Sequence, residues 1–159
     1  MIIKMSFNLS KRSKDRLMGV HPDLIAVVER AIELTEVDFG VTCGVRTVQE
    51  QEANVAAGRS QTMRSKHLPQ EDGYSQAVDV VAYVGPDVSW ELNLYDDICD
   101  AFKAAAEEFE CAIKWGAAWS EGDIRTYPGT SEEAMMAYVD LRRSQGRRPF
   151  IDAPHFEMM

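Results

Sequence analysis

The sequence contains no run of about 18 apolar residues, no basic segment of the kind that neutralises phosphates, no Cys-x-x-Cys pair and no internal repeat. Each absence removes a class of function. Without the long apolar run there is no candidate membrane-spanning helix, so no membrane insertion is expected. The N-terminal stretch MIIKMSFNLSKRSK is too weakly apolar to serve as the hydrophobic region of a signal peptide, which predicts a protein made in the cytoplasm. Seventeen Lys and Arg against 26 Asp and Glu give a net charge of −9, and the pI is near 4.8. That balance argues against nucleic acid as a partner, because nothing is arranged to neutralise phosphates. It also offers no general attraction to anionic membranes or wall polymers, so such a target has to be met through a specific cleft. The three cysteines, Cys43, Cys99 and Cys111, are odd in number and widely spaced. They read as free buried thiols, with a disulfide or a zinc–cysteine site as the weaker alternative.

What remains is 159 residues, 45% of them hydrophobic, enough for one sizeable core in a single domain, expected to be monomeric. HPDLIAVVERAIELT carries apolar residues at helical spacing behind Pro22 and Asp23, which predicts a helix over 22–35. DFGVTCGVR reads as a short strand ending near Gly44, and TVQEQEANVAAG as a helix over 47–57 capped by Gly58. A long loop follows. AVDVVAYV is a central strand, SWELNLYDDICDAFKAAAEEFE a helix over 91–109, and AIKWG a short strand. After a further loop, SEEAMMAYVDLRRSQG is a helix with Ser131 as its cap and Gly146 at its end, and FIDAPHFEMM returns to β structure. Apolar strands are too few for a large parallel sheet, so the fold class is α+β, a small, mostly antiparallel sheet with flanking helices.

Three positions stand out chemically. Asp79 interrupts an otherwise apolar strand, where a carboxylate needs a cap, an arginine partner or a metal ion. His67 lies in the long loop before it. In FIDAPHFE, His155 is flanked by Asp152 and Glu157; an extended chain points His155 and Glu157 to one side, and Pro154 breaks regular pairing so that Asp152 can turn towards the same cavity. Two histidines and an aspartate match the three N/O ligands common in catalytic zinc sites, with a fourth position left for water and a nearby carboxylate as base. The spacing is not the helical His-Glu-x-x-His arrangement. His21, beside Pro22, reads as a helix-start residue. Met135 and Met136 read as helix packing, and at least two of Trp90, Trp115 and Trp119 as core or rim.

The ordered set SKH, AVD and DAPHFE resembles the Ser-x-His, Ala-x-Asp and (Asp/Glu)-x-x-His motifs of the zinc peptidases that include D-Ala-D-Ala carboxypeptidases and dipeptidases. Within that group the chain is similar to the phage and prophage L-alanyl-D-glutamate endopeptidases. This likeness runs through LSKRSKDRLMGVHPDLIAVVERAIEL, DFGVTCGVRTVQEQ, GRSQTMRSKH, VDVVAYV and IKWGAAW, covering most of residues 7–119 and then 150–157. It implies a Hedgehog/DD-peptidase fold and Zn2+ held by His67, Asp79 and His155. Asp152 is implied as catalytic base, Arg46 as the cation that holds the oxyanion, and Ser65 as a substrate contact. For Arg46 a surface ion pair is the plain alternative, and Glu157 is the second candidate for the base. The implied substrate is the peptidoglycan stem peptide, cut at the L-alanyl-D-glutamate bond by a lysin that reaches the wall once another protein opens the membrane. A D-alanyl carboxypeptidase and a zinc-stabilised module without turnover are the other expectations. The chain departs from the family in three places: eleven residues separate His67 from Asp79, with Ser75 at a usual glycine; Ala118 stands where an acid is usual; and 120–149 form an extra loop and helix.

Overall fold

The computed structural model describes residues 6–159; the first part of the N-terminal stretch considered above, residues 1–5, lies outside them. Helices α1 (Lys11–Arg16) and α2 (Pro22–Leu34) precede strand β1 (Phe39–Cys43) and helix α3 (Val48–Ala56). Strands β2 (Ala77–Val84) and β3 (Asp87–Ser89), helix α4 (Leu92–Glu108) and strand β4 (Ile113–Trp115) follow, then helix α5 (Ser131–Ser144) and strand β5 (His155–Met158). The sheet order is β1-β2-β5-β4, with β3 also on β2, and every pairing is antiparallel. This is the mixed helical and antiparallel architecture expected from the sequence. No helix among the described residues is long and apolar enough to cross a membrane.

Strand alternation divides the sheet's side chains between two faces. Phe39, Val41, Val78, Val80, Ala82, Ile113, Trp115 and Phe156 are buried in the core with the apolar faces of α2 and α4. Phe102 of α4 stacks on Phe156 with ring centroids 3.9 Å apart. The opposite face carries the polar residues of the same strands. Asp79 pairs with Cys43 on one side and His155 on the other, and Glu157 pairs with both Ala77 and Lys114. Directly opposed residues point to one face, so the register lines up Cys43, Asp79 and His155 in a row across three strands.

Several local expectations are corrected. The cap of α5 is Thr130, whose side chain accepts the Glu133 N–H while Glu133 accepts the Thr130 N–H; Ser131 sits inside the first turn, its own N–H donating to Asp100 at 3.0 Å. Only His155–Met158 of the last segment is strand, because residues 152–155 form a turn. Helix α1, strand β3 and the 3-10 turns Trp119–Glu121 and Ile124–Thr126 were not anticipated. Met136 is exposed, whereas Met135 is buried. Cys43 is free, as expected, but only partly buried, because a bulge between Val41 and Cys43 turns it out of the core. Of the tryptophans, Trp115 is core, Trp90 is exposed against Tyr95, and Trp119 is partly buried at the site. His21 caps α2, its Nδ1 accepting the Asp23 N–H.

Candidate active site

The row on the polar face becomes a cluster because the 58–76 loop lays His67 over it. His67 is buried, and its Nδ1–H donates to the Gly44 carbonyl at 2.8 Å. That bond turns Nε2 towards the strands. Gly44 has to be glycine here, since a Cβ would run into the Arg16 carbonyl oxygen and the Val20 side chain. His67 Nε2 lies 3.1 Å from Asp79 Oδ1 and 3.3 Å from His155 Nδ1, and His155 Nδ1 lies 2.9 Å from the same Asp79 oxygen. Three donor atoms thus form a triangle with edges of 2.9–3.3 Å. A tetrahedral ion with N/O bonds of about 2.0–2.1 Å spans edges of about 3.3 Å. The three side chains fit a metal ion of that size without rearrangement.

Both histidines are oriented from behind by an acceptor on the ring nitrogen that faces away from the triangle, the usual arrangement for metal-binding imidazoles. For His67 the acceptor is Gly44 O; for His155 it is Glu157, whose Oε1 accepts Nε2–H at 2.8 Å. Burial alone pulls His67 down, but hydrogen bonds and charge from Asp79 and Cys43 outweigh it and hold the ring up at about 10. Burial opposes the charged form of His155 as well, and Asp79 and Glu157 override it to reach about 9. Asp79 is driven the other way: burial raises it, and its bonds to His155 and His67 bring it far below the ordinary carboxylate range. Asp79 thus favours the protonated form of both rings, against the repulsion of His67 on His155.

Asp152 sits at the edge of the triangle. One donor atom each from Asp79, Asp152 and His155 lie within 4.8 Å of one another, yet the Asp152 carboxylate makes no hydrogen bond or ion pair among the described residues. Burial first, and the charge of Asp79 second, raise its affinity for a proton. The turn that presents it is fixed from all sides. Asp152 N–H donates to Gly116 O at 2.8 Å, Gly116 N–H to His155 O at 2.8 Å, Trp115 Nε1–H to Ala153 O at 2.8 Å, and Val80 N–H to Pro154 O at 3.0 Å. Gly116 tolerates no side chain, because a Cβ would overlap the Asp152 carbonyl oxygen.

Arg46 reaches the cluster from the turn after β1. Its Nη1 donates to Gln51 at 2.8 Å and its Nη2 lies 3.6 Å from Asp79 Oδ2. Gln51, fully buried on α3, also donates to Ser60 Oγ at 2.8 Å and Thr62 O at 2.6 Å. One amide therefore ties the arginine to the loop. Ser65 accepts the His67 N–H through Oγ at 3.2 Å. A cavity of about 550 Å3 opens here, lined by all seven residues singled out from the sequence, and Trp119 and Phe150 contribute apolar lining.

Two residues in contact with the site escaped the sequence reading, Gln51 and Cys43. Cys43 Sγ lies 3.7 Å from His67 Nδ1 and 3.6 Å from Arg46 Nη2, and it forms a second group of potential metal donors with His67 and Asp79. Ala118 is buried in the hydrophobic core and absent from the cavity lining.

The family profile described as Phage L-alanyl-D-glutamate peptidase matches residues 5–159. The chain belongs to this family. It is 32% identical over 120 residues to the L-alanyl-D-glutamate peptidase of Escherichia phage T5, a match spanning 73% of this chain and 84% of that protein. It is 38% identical over 76 residues to the L-alanyl-D-glutamate peptidase of Listeria phage A118, covering 48% of this chain and 24% of the relative. Among solved structures, the Serratia marcescens L-Ala D-Glu endopeptidase ChiX superposes with a TM-score of 0.70 at 32% identity, over 97% of this chain and 91% of that one. Membership makes the protein a peptidase and matches the fold to that of ChiX.

Proposed function

We propose that the protein is a zinc-dependent endopeptidase that hydrolyses the L-alanyl-D-glutamate bond of peptidoglycan stem peptides and acts on the cell wall as a phage-type lysin. The observation that carries this reading is the 2.9–3.3 Å triangle of His67, Asp79 and His155 with the unpaired Asp152 carboxylate beside it. The three residues of the triangle hold the metal, and two imidazoles with one carboxylate suit Zn2+. Bound there, zinc would polarise the scissile carbonyl and acidify a water molecule.

The side chains then divide the remaining work. Asp152 takes a proton from the attacking water and returns it to the leaving amine; its raised proton affinity suits both steps. Arg46, held by Gln51, presents a fixed cation to the oxyanion that develops on the attacked carbonyl. Ser65 keeps its hydroxyl proton available for the substrate while its oxygen accepts the His67 N–H. Glu157 orients His155 and so acts through it.

The test is metal content together with mass analysis of purified wall digested by the protein. One zinc per chain and fragments with a new N-terminal D-glutamate are expected. Release of terminal D-alanine in place of such fragments would make it a carboxypeptidase, and bound zinc without any cleavage would make it a binding module.

A further inference from the structure

The cavity beside the donor triangle carries a balance of charge unlike that of the rest of the protein. The chain has a net charge of −9, yet Arg46, Arg59, Arg64 and Lys66 line this cavity together with only three carboxylates, Asp79, Asp152 and Glu157. The acids are occupied by or adjacent to the metal-holding histidines. Two of the cations are also engaged: Arg46 with Gln51 and Asp79, and Arg59 through Nε with Asn54 Oδ1 at 3.0 Å.

The other two form no ion pair among the described residues, although the charge of Lys66 reaches Glu157. The Arg64 guanidinium makes no hydrogen bond or ion pair among the described residues. The partly buried Lys66 makes one long bond, 3.4 Å, to the neutral amide of Gln76. They flank Ser65 on the segment that leads into His67. That segment is pinned: Gln51 holds Ser60 and Thr62, Thr62 Oγ1 accepts the Arg64 N–H at 2.9 Å, and Ser65 Oγ accepts the His67 N–H. Two cations without an ion pair thus line one cleft on a fixed backbone, so an arriving anion has to order the exposed Arg64 side chain and Lys66 but not the segment that carries them.

The proposed substrate supplies such an anion. The residue on the leaving-amine side of the scissile bond is D-glutamate. The peptide continues through one of its carboxyls, which leaves the other free a few bonds from the scissile nitrogen. We propose that Arg64 and Lys66 form a carboxylate subsite for this group, which makes the enzyme selective for stem peptides in which it is ionised over those in which it is a primary amide. The proposal rests on the L-alanyl-D-glutamate reading above. Its chemistry is that of charge-assisted hydrogen bonds, which an amide, neutral and itself partly a donor, cannot replace.

The experiment compares N-acetyl-L-alanyl-γ-D-glutamyl-L-lysine with the same peptide amidated at the free α-carboxyl. The zinc-loaded protein should cleave the carboxylate form with a kcat/KM higher by about tenfold or more, as expected when a hydrogen bond to a charged group is lost. In the Arg64→Gln/Lys66→Gln double variant the ratio of the two kcat/KM values should fall to about one, chiefly through KM. Equal cleavage of both peptides by the unaltered protein, or an unchanged ratio in the double variant, overturns the proposal. If neither peptide is cut, the bond assignment fails, and calorimetric binding of both peptides to the zinc-loaded Asp152→Asn protein decides on the subsite alone. Tighter binding of the carboxylate form, lost in the triple variant, supports it; equal affinities sink it.

Discussion

Glu157 lies 2.8 Å from His155 Nε2, the ring nitrogen that faces away from Asp79 and His67. Burial favours the protonated form of Glu157, but the hydrogen bond and charge of His155, with Lys114 and Lys66 nearby, keep the carboxyl below its usual range. A carboxylate so engaged is a poor base for water on the other side of the imidazole. Asp152, unpaired and with raised proton affinity, is the better one. Asp152→Asn should therefore cut turnover by a factor of at least 10²–10⁴ while zinc stays bound. Glu157→Gln keeps an acceptor for His155 and should weaken zinc affinity by about 10–100-fold, with activity recovering as zinc is added. Zinc titrations of both variants with activity at saturation separate the roles; a Glu157→Gln protein that stays inactive at saturating zinc would reverse the assignment.

Metal uptake should expel protons. In the metal-free protein His67 and His155 titrate at about 10 and about 9, both raised from 6.5, so both rings are charged at neutral pH. Metal requires them neutral. Zinc binding at pH 7 should release about two protons, measured by calorimetry in buffers of different ionisation enthalpy. Release of fewer than one proton would contradict the charged triad. The same shifts set the stability of the metal-free protein. The contribution of the two histidines is fully present below pH 6.5 and fades as pH rises through about 9 to 10. Asp79 is lowered from 3.8, so its contribution is present above that value and is lost as acid protonates it.

The Asp152 turn should be intolerant of a single methyl group. Gly116→Ala places a Cβ into the Asp152 carbonyl oxygen and within 3.0 Å of the His155 Cβ. Backbone must move, since neither neighbour is the end of a flexible side chain. A cost of about 1–3 kcal/mol is expected from overpacking, seen in urea unfolding. Activity should fall by about 10², because a base displaced by an ångström loses its alignment. Wild-type turnover in a folded Gly116→Ala protein would show that the turn does not set the geometry of Asp152.

How much of this could be read from the residues depended on how local each cause is. Asp79 was legible because an acid inside AVDVVAYV breaks a pattern, and the turn at Asp152 because Pro154 interrupts a strand. The central place of β2 followed from its unbroken apolar run. Helix α1, with six residues, and strand β3, with three, are too short to show a period. Cys43 was misplaced because the bulge that turns it towards His67 is a matter of pairing with β2 and leaves no mark in β1 itself. The Thr130 cap, by contrast, was written in the sequence as Thr-x-x-Glu and was overlooked for the serine beside it.

Gln51 is the residue that patterning could least reveal, since α3 reads as a polar helix and a glutamine on it looks solvated. Its amide is nonetheless fully buried and spends every strong bond on the site: Oε1 accepts from Arg46, and Nε2 donates to Ser60 and Thr62. Gln51→Glu retains an acceptor for Arg46 and loses the donors to the loop; Gln51→Leu loses both. Each leaves buried polar groups unpaired, at about 1–3 kcal/mol. If the amide positions Arg46 for the oxyanion, Gln51→Leu should lower kcat more than Gln51→Glu does at saturating substrate, with zinc content equal in both. A uniform loss that follows only the fall in melting temperature would reduce Gln51 to a structural clamp.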